Sequence, residues 1–277
     1  MAWAEHTLDG ISYLEREGSG PCVVMLHGIG SNAHAFTGIT PHLPADLRLI
    51  AWNAPGYLGS APLDALWPVA ADYANMLLGH FDGLGLTSAH LVGHSLGALM
   101  GAAFAANNPA RVDSLLLASP ALGHRVPRGG SLSAAAQARI DDLDVLGPKA
   151  FAQSRAERLV FEPEKNPNVL ETVRRAMAAV RLPGYRQAVR MLASGRLLDD
   201  AQRLAVPTAV MVGMEDVVTP PDGAQRLFVA LPSAWRGGLT QVPAAGHALY
   251  QQTPTAFAET LIHHITDATR WRLADAS

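Results

Sequence analysis

The stretch AHLVGHSLGALMGAAFA, Ala89 to Ala105, sets one serine, Ser95, between Gly93 and Gly97. Serine is a weak nucleophile at its ordinary pKa. It attacks a carbonyl only when a base takes its proton and an acid orients that base. Candidates for both stand downstream, in the order serine, acid, histidine that accompanies a G-x-S-x-G turn. Glu215 and Asp216 lie in VMVGMEDVVTPP, where an apolar run ends, and His247 lies in VPAAGHALY. Taken singly, Asp216 fits a turn or helix cap and His247 a loop. Their joint order and placement describe a nucleophile with its base and acid. The same chemistry needs two N–H donors for an oxyanion. The Leu96 amide is one, and the loop in LHGIGSNAHAF supplies the other at Ile29, with Gly30 as the alternative.

A serine held clear of a sheet needs a sharp strand-to-helix turn with almost no side chain beside it, which Gly93 and Gly97 provide. The runs CVVMLH, RLIAWN, AHLVGH and SLLLAS lack polar alternation, as strands buried on both faces should, and helical lengths separate them. This order predicts a mostly parallel sheet flanked by helices. Asp9-Gly10, between EHTL and ISYLERE, predicts an antiparallel hairpin at the start. From Val126 to Leu204 the pattern is helical, with breaks expected at Gly147-Pro148, Pro163, Pro167 and Pro183-Gly184. Strands return in PTAVMVG and GLTQVP, with PDGAQRLFVALP as a helix between them. The division expected is a core of residues 1–125 and 205–277 with a helical cap over 126–204.

Composition narrows the function. Half of the 277 residues are hydrophobic, enough for a sizeable core, and length requires no second independent domain. A net charge of −3 without a basic patch argues against nucleic acid. No run of about eighteen apolar residues and no signal-like amino terminus is visible, which predicts a cytoplasmic protein without a membrane partner. Cys22, the single cysteine, is expected in a buried strand. The histidines lack zinc-site spacing and GIGSN lacks a phosphate-loop lysine, so neither a metal nor a cofactor is expected.

With these residues in hand, the chain resembles the α/β-hydrolase superfamily over nearly its whole length. Four motifs carry the likeness: HGIGSN, WNAPGYLGS, GHSLG, and GMEDVVTPP followed by AGHALY. The resemblance implies an eight-stranded sheet with a cap after the sixth strand. It implies Asp216 over Glu215 as the acid, because the acid in such enzymes commonly precedes a proline by four positions, here Pro220. A narrower likeness, in LHGIGSNAHAF, AWNAPGYLGSAP and LPGYRQAVRMLASGRLLDDAQRL, is to the 3-oxoadipate enol-lactonase and carboxylesterase-like group. Leu58 in PGYLGS departs from the tighter Gly-x-Gly-x-Ser of many relatives. Haloalkane dehalogenases and epoxide hydrolases are set aside, since Ser95 stands where they carry aspartate.

The activity expected is hydrolysis of a small ester or lactone, with water releasing an acyl group from Ser95. Carbon-carbon hydrolysis of a ring-fission diketone is the alternative, followed by a non-catalytic ligand receptor and a cofactor-free perhydrolase. His94, Met177 and Met191 are candidate substrate-binding residues, with Leu192 beside them; helix packing is the plainer role for Met177, Met191 and Leu192, and a structural or pocket-lining role, rather than that of the base, for His94. His27 and His34 are expected to make local hydrogen bonds, and His263-His264 to lie on a solvated helix face. The stretch from Arg125 to Arg203 holds twelve Arg and two Lys against nine acidic residues, a net of +5 that leaves −8 for the remainder. Most of these arginines are expected to face water, but one turned inward would bind a substrate carboxylate in a forked pair. An anionic substrate and a homo-oligomer are therefore left open.

Overall fold

The computed structural model describes residues 2–275. Strands β1 (Ala4–Leu8), β2 (Ile11–Arg16), β3 (Cys22–Leu26), β4 (Arg48–Trp52), β5 (Ala89–His94), β6 (Val112–Ala118), β7 (Thr208–Gly213) and β8 (Arg236–Val242) form one sheet. Its order is β1-β2-β4-β3-β5-β6-β7-β8. β2 pairs antiparallel with β1 and β4, and every other pairing is parallel. The opening hairpin turns at Asp9 and Gly10, with φ of 50° and 78°. Two positive φ values in a two-residue loop match the twist of the strands they join.

Covering on both faces explains why the central strands show no polar alternation. On β3, Val24 and Leu26 enter one hydrophobic cluster with helices α1 (Ala70–Gly83) and α2 (Leu96–Asn107). Val23 and Met25 point the other way, into a second cluster with Phe36, Leu249 and Phe257. α2 is buried all round from Leu96 to Ala105, as a helix between a sheet and other helices must be.

Between β6 and β7 the chain forms α3 (Ala134–Arg155), α4 (Pro167–Met177), α5 (Leu182–Ser194) and α6 (Leu197–Ala201), with no strand among the described residues. α3 bends at Gly147, where φ is 70° and ψ 165° immediately before Pro148. The helix boundaries expected at Pro167 and Pro183 are present, as starts of helices. Both prolines occupy the first turns of α4 and α5, where a missing N–H costs no hydrogen bond. The segment is tied down at its ends: Arg125 N–H donates to the Gly195 carbonyl at 3.1 Å, and Val126 N–H to that of Ala193 at 2.9 Å. Gln187 of α5 donates to the Leu63 and Ala65 carbonyls and accepts from the Leu63 amide.

Helices α7 (Pro221–Ala230), α8 (Leu249–Gln252) and α9 (Pro254–Asp275) complete the fold. Only His263 of the expected solvated pair is exposed. His264 is buried and donates from Nε2 to the Leu115 carbonyl at 3.1 Å. Cys22, expected to be buried, is half-buried at the start of β3, and its thiol is pushed up to about 12 by burial. No helix among the described residues is long and apolar enough to cross a membrane.

Candidate active site

Ser95 sits at the step from β5 to α2 with φ 54° and ψ −112°, a conformation that costs strain in any residue with a side chain. The neighbours show why the sequence needs glycine there. A Cβ on Gly93 would lie 2.6 Å from the Gly97 carbonyl oxygen, and one on Gly97 would lie 2.1 Å from the Leu26 carbonyl oxygen. Both obstacles are backbone and cannot yield. The turn is locked by Ser95 N–H donating to the Ala118 carbonyl at 2.9 Å and Ala121 N–H donating to the Ser95 carbonyl at 3.2 Å.

Asp216 and His247 come from the loops after β7 and β8 and meet this serine. His247 Nε2 lies 3.0 Å from Ser95 Oγ, and its Nδ1 lies 2.9 Å from Asp216 Oδ2. Glu215 is exposed and takes no part. The carboxylate is held from several sides: Oδ1 accepts from the Val218 and Thr219 amides at 2.8 and 2.9 Å, and Oδ2 from the Thr219 hydroxyl at 2.9 Å. Burial pushes this carboxyl up, but His247 and the hydrogen bonds outweigh it and leave the pKa at about 2. Asp216 is therefore ionised at neutral pH and serves as an acceptor for His247 Nδ1–H.

The loop after β3 holds Ile29 through its carbonyls. His27 Nδ1 donates to the Gly28 carbonyl at 2.8 Å, while its Nε2 accepts from the Ala54 amide at 3.0 Å. The Tyr57 hydroxyl donates to the Ile29 carbonyl at 2.6 Å. With those carbonyls pinned, the Ile29 amide has no hydrogen-bond acceptor among the described residues. Leu96 occupies the first position of α2, where a helix leaves its N–H unpaired.

Ser95, His247 and Ile29 open into a cavity of about 510 Å³. Met177, Leu192 and His94 line it, and Met177 Cε lies against Gly30. Met191, expected beside them, is fully buried in the main core instead. Adjacent positions on a helix point about 100° apart, so α5 turns Leu192 to the cavity and Met191 away. His94 contributes only an edge: its Nε2 donates to the His247 carbonyl at 2.8 Å, and its ring packs on His247 and Tyr250. Among the described residues no group of three or more His, Cys, Asp or Glu is placed to hold a metal ion.

Residues 23–260 match the alpha/beta hydrolase family. The chain belongs to that family. This α/β-hydrolase is 31% identical over 260 residues to pimeloyl-[acyl-carrier protein] methyl ester esterase of Chromobacterium violaceum, covering 91% of this chain and 97% of that protein. It is 27% identical to 2-hydroxy-6-oxononadienedioate/2-hydroxy-6-oxononatrienedioate hydrolase 2 of Pseudomonas putida, over 76% of this chain and 77% of the other. Among solved structures, the enol-lactonase of Burkholderia xenovorans LB400 superposes with a TM-score of 0.81 at 21% identity, covering 95% of this chain and all of that one.

Thr219 and Tyr57 are contacts that the sequence reading did not find. Thr219 follows Asp216 in the quoted DVVTPP, and its hydroxyl also lies 3.1 Å from His247 Nδ1, so a hydroxyl between acid and proline was the available signal. Tyr57 stands in APGY, where nothing in the spacing links it to Ile29.

The buried histidines give this α/β-hydrolase a predictable acid sensitivity. Burial pushes His27, His80 and His264 down to about 4 and His94 to about 3. Below about pH 6.5 the unfolded chain binds protons that the folded protein refuses, so stability falls as pH drops toward 4. Each histidine contributes on the order of 2 kcal/mol to that loss. Asp216 acts in the same direction in a lower window, since its stabilisation is lost as pH falls from its ordinary value of 3.8 through about 2. The expected result is a melting temperature that is flat near pH 7 and drops steeply from pH 6.5 to 4; a flat profile across that range would contradict it.

Proposed function

We propose that this protein is a serine hydrolase that cleaves a small carboxylic ester or lactone through an acyl-enzyme on Ser95. The observation carrying this reading is the continuous hydrogen-bonded chain from Ser95 Oγ through His247 to Asp216, at 3.0 and 2.9 Å, with the serine facing the cavity. Ser95 Oγ attacks the carbonyl carbon as His247 Nε2 takes its proton, and Asp216 stabilises the imidazolium. The Ile29 and Leu96 amides receive the oxyanion. Collapse expels the leaving oxygen, which takes the proton from His247; in a lactone it stays attached to the acyl group. Water, deprotonated by His247, then attacks the acyl-enzyme, and His247 returns that proton to Ser95 Oγ as the acid is freed. Residues 126–204 act as a cap that encloses the acyl group.

The esterase and the enol-lactonase support ester chemistry. The 2-hydroxy-6-oxononadienedioate hydrolase supports a second reading, in which the same residues cleave a carbon-carbon bond. Parallel assays of a neutral methyl ester, an enol lactone and a ring-fission dienoate separate the two. Turnover of the ester or lactone at least tenfold above the dienoate is expected. Preference for the dienoate moves the bond assignment to carbon-carbon cleavage, and turnover of none of the three overturns hydrolysis at this site.

A further inference from the structure

The charge excess of the helical segment becomes informative once its arginines are placed. Seven of its twelve arginines pair with a carboxylate of the chain, and Arg190 caps the Leu66 carbonyl beside the Trp67 ring. Four belong to neither group, Arg139, Arg158, Arg181 and Arg186, and of these Arg139 and Arg158 line the cavity. Arg155 lines it too but is neutralised by Asp142 at 2.7 Å. The two that line the cavity without a carboxylate partner differ in setting: Arg158 is exposed, whereas Arg139 is half-buried on α3.

Arg139 also has an orienting neighbour. Its guanidinium meets the Tyr185 hydroxyl, and Tyr185 is only 2% exposed, fixed edge-on against Phe151 with ring centroids 5.3 Å apart. A guanidinium has five N–H donors, and with no carboxylate of the chain paired to Arg139 they are available to a ligand in the cavity it lines. A half-buried cation lining a largely apolar cavity gains most when an anion meets it there. Met177, Leu192, Val173 and Leu122 supply apolar lining that suits a hydrocarbon stretch.

We infer that Arg139 is the anchor for a carboxylate at the far end of the substrate, so that this site takes bifunctional acyl compounds, an ester or lactone bearing a distal carboxylate. Arg158 and Arg226 of α7, exposed residues that also line the cavity, draw the anion inward and act through the screened field rather than by contact. This assignment rests on the hydrolytic reading of Ser95, so its test includes a measurement independent of turnover.

The first measurement is selectivity: the ratio of kcat/KM for an aliphatic ester with a terminal carboxylate to that for the same ester with a terminal amide. Arg139→Gln is expected to lower this ratio about tenfold or more, as loss of one charge-assisted hydrogen bond would. Arg139→Lys should recover part of it, and Arg175→Gln, on an exposed face of α4, should leave the wild-type ratio. The second uses Ser95→Ala protein and adipate as the probe, reading its effect on the melting temperature. Stabilisation that disappears in Ser95→Ala/Arg139→Gln supports the anchor even if no ester is turned over. A selectivity ratio unchanged by Arg139→Gln, or adipate stabilisation that is equal or absent in both backgrounds, overturns it.

Discussion

Replacing Ser95 with Ala is expected to lower kcat/KM by about 10⁴- to 10⁶-fold, with the melting temperature close to that of the wild type. The loss is large because, in the proposed mechanism, the hydroxyl oxygen is the atom that forms the acyl bond. What survives in the variant is binding and the oxyanion donors, which retain part of the catalysis over water. Stability is spared because the elbow is held by backbone. Ser95 N–H keeps the Ala118 carbonyl, its own carbonyl keeps the Ala121 amide, and Gly93 and Gly97 keep the close approach. A fall of less than tenfold, measured beside an unchanged circular dichroism spectrum, would remove Ser95 from the mechanism.

Asp216→Asn should cost about 10⁴-fold in kcat while KM stays within a few-fold. The new side chain has nearly the same shape, and its oxygen still accepts from the Val218 and Thr219 amides where Oδ1 does now, at 2.8 and 2.9 Å. Its amide group then faces His247 Nδ1, which must accept rather than donate. The ring proton moves to Nε2, beside Ser95 Oγ at 3.0 Å, and the base loses the lone pair it needs. The variant thus separates orientation from packing. Comparable losses in Asp216→Asn and in the neighbouring, exposed Glu215→Gln would contradict the assignment of the acid.

The parts of this site legible in the sequence are those imposed by backbone sterics and by burial. Gly93 and Gly97 are required by carbonyls that lie too close for any Cβ, so the turn around Ser95 leaves its mark on the sequence. The central strands, covered on both faces, read as apolar runs, and Asp9-Gly10 carries its hairpin in two positive φ values. What stayed hidden depends on partners from distant segments. Tyr57 reaches the Ile29 carbonyl across 28 residues, and His264 reaches Leu115 across 149. The phase of α5, which buries Met191 and turns Leu192 to the cavity, follows from its packing rather than from its composition. Pro183 suggested a break because proline both ends and begins helices, and only the chain around it decides which. Charge counting found an excess of arginine, but the carboxylates that neutralise most of it had to be seen in place before Arg139 stood out.

The central claim is that Ser95 is a nucleophile activated by His247. Its most direct test is reaction with a small alkyl fluorophosphonate, followed by mass analysis of the digested protein. One phosphonyl adduct on Ser95 is predicted, formed rapidly by the wild type and lost in Ser95→Ala and His247→Ala. An adduct on another residue, or equal labelling in the His247→Ala protein, would contradict the mechanism.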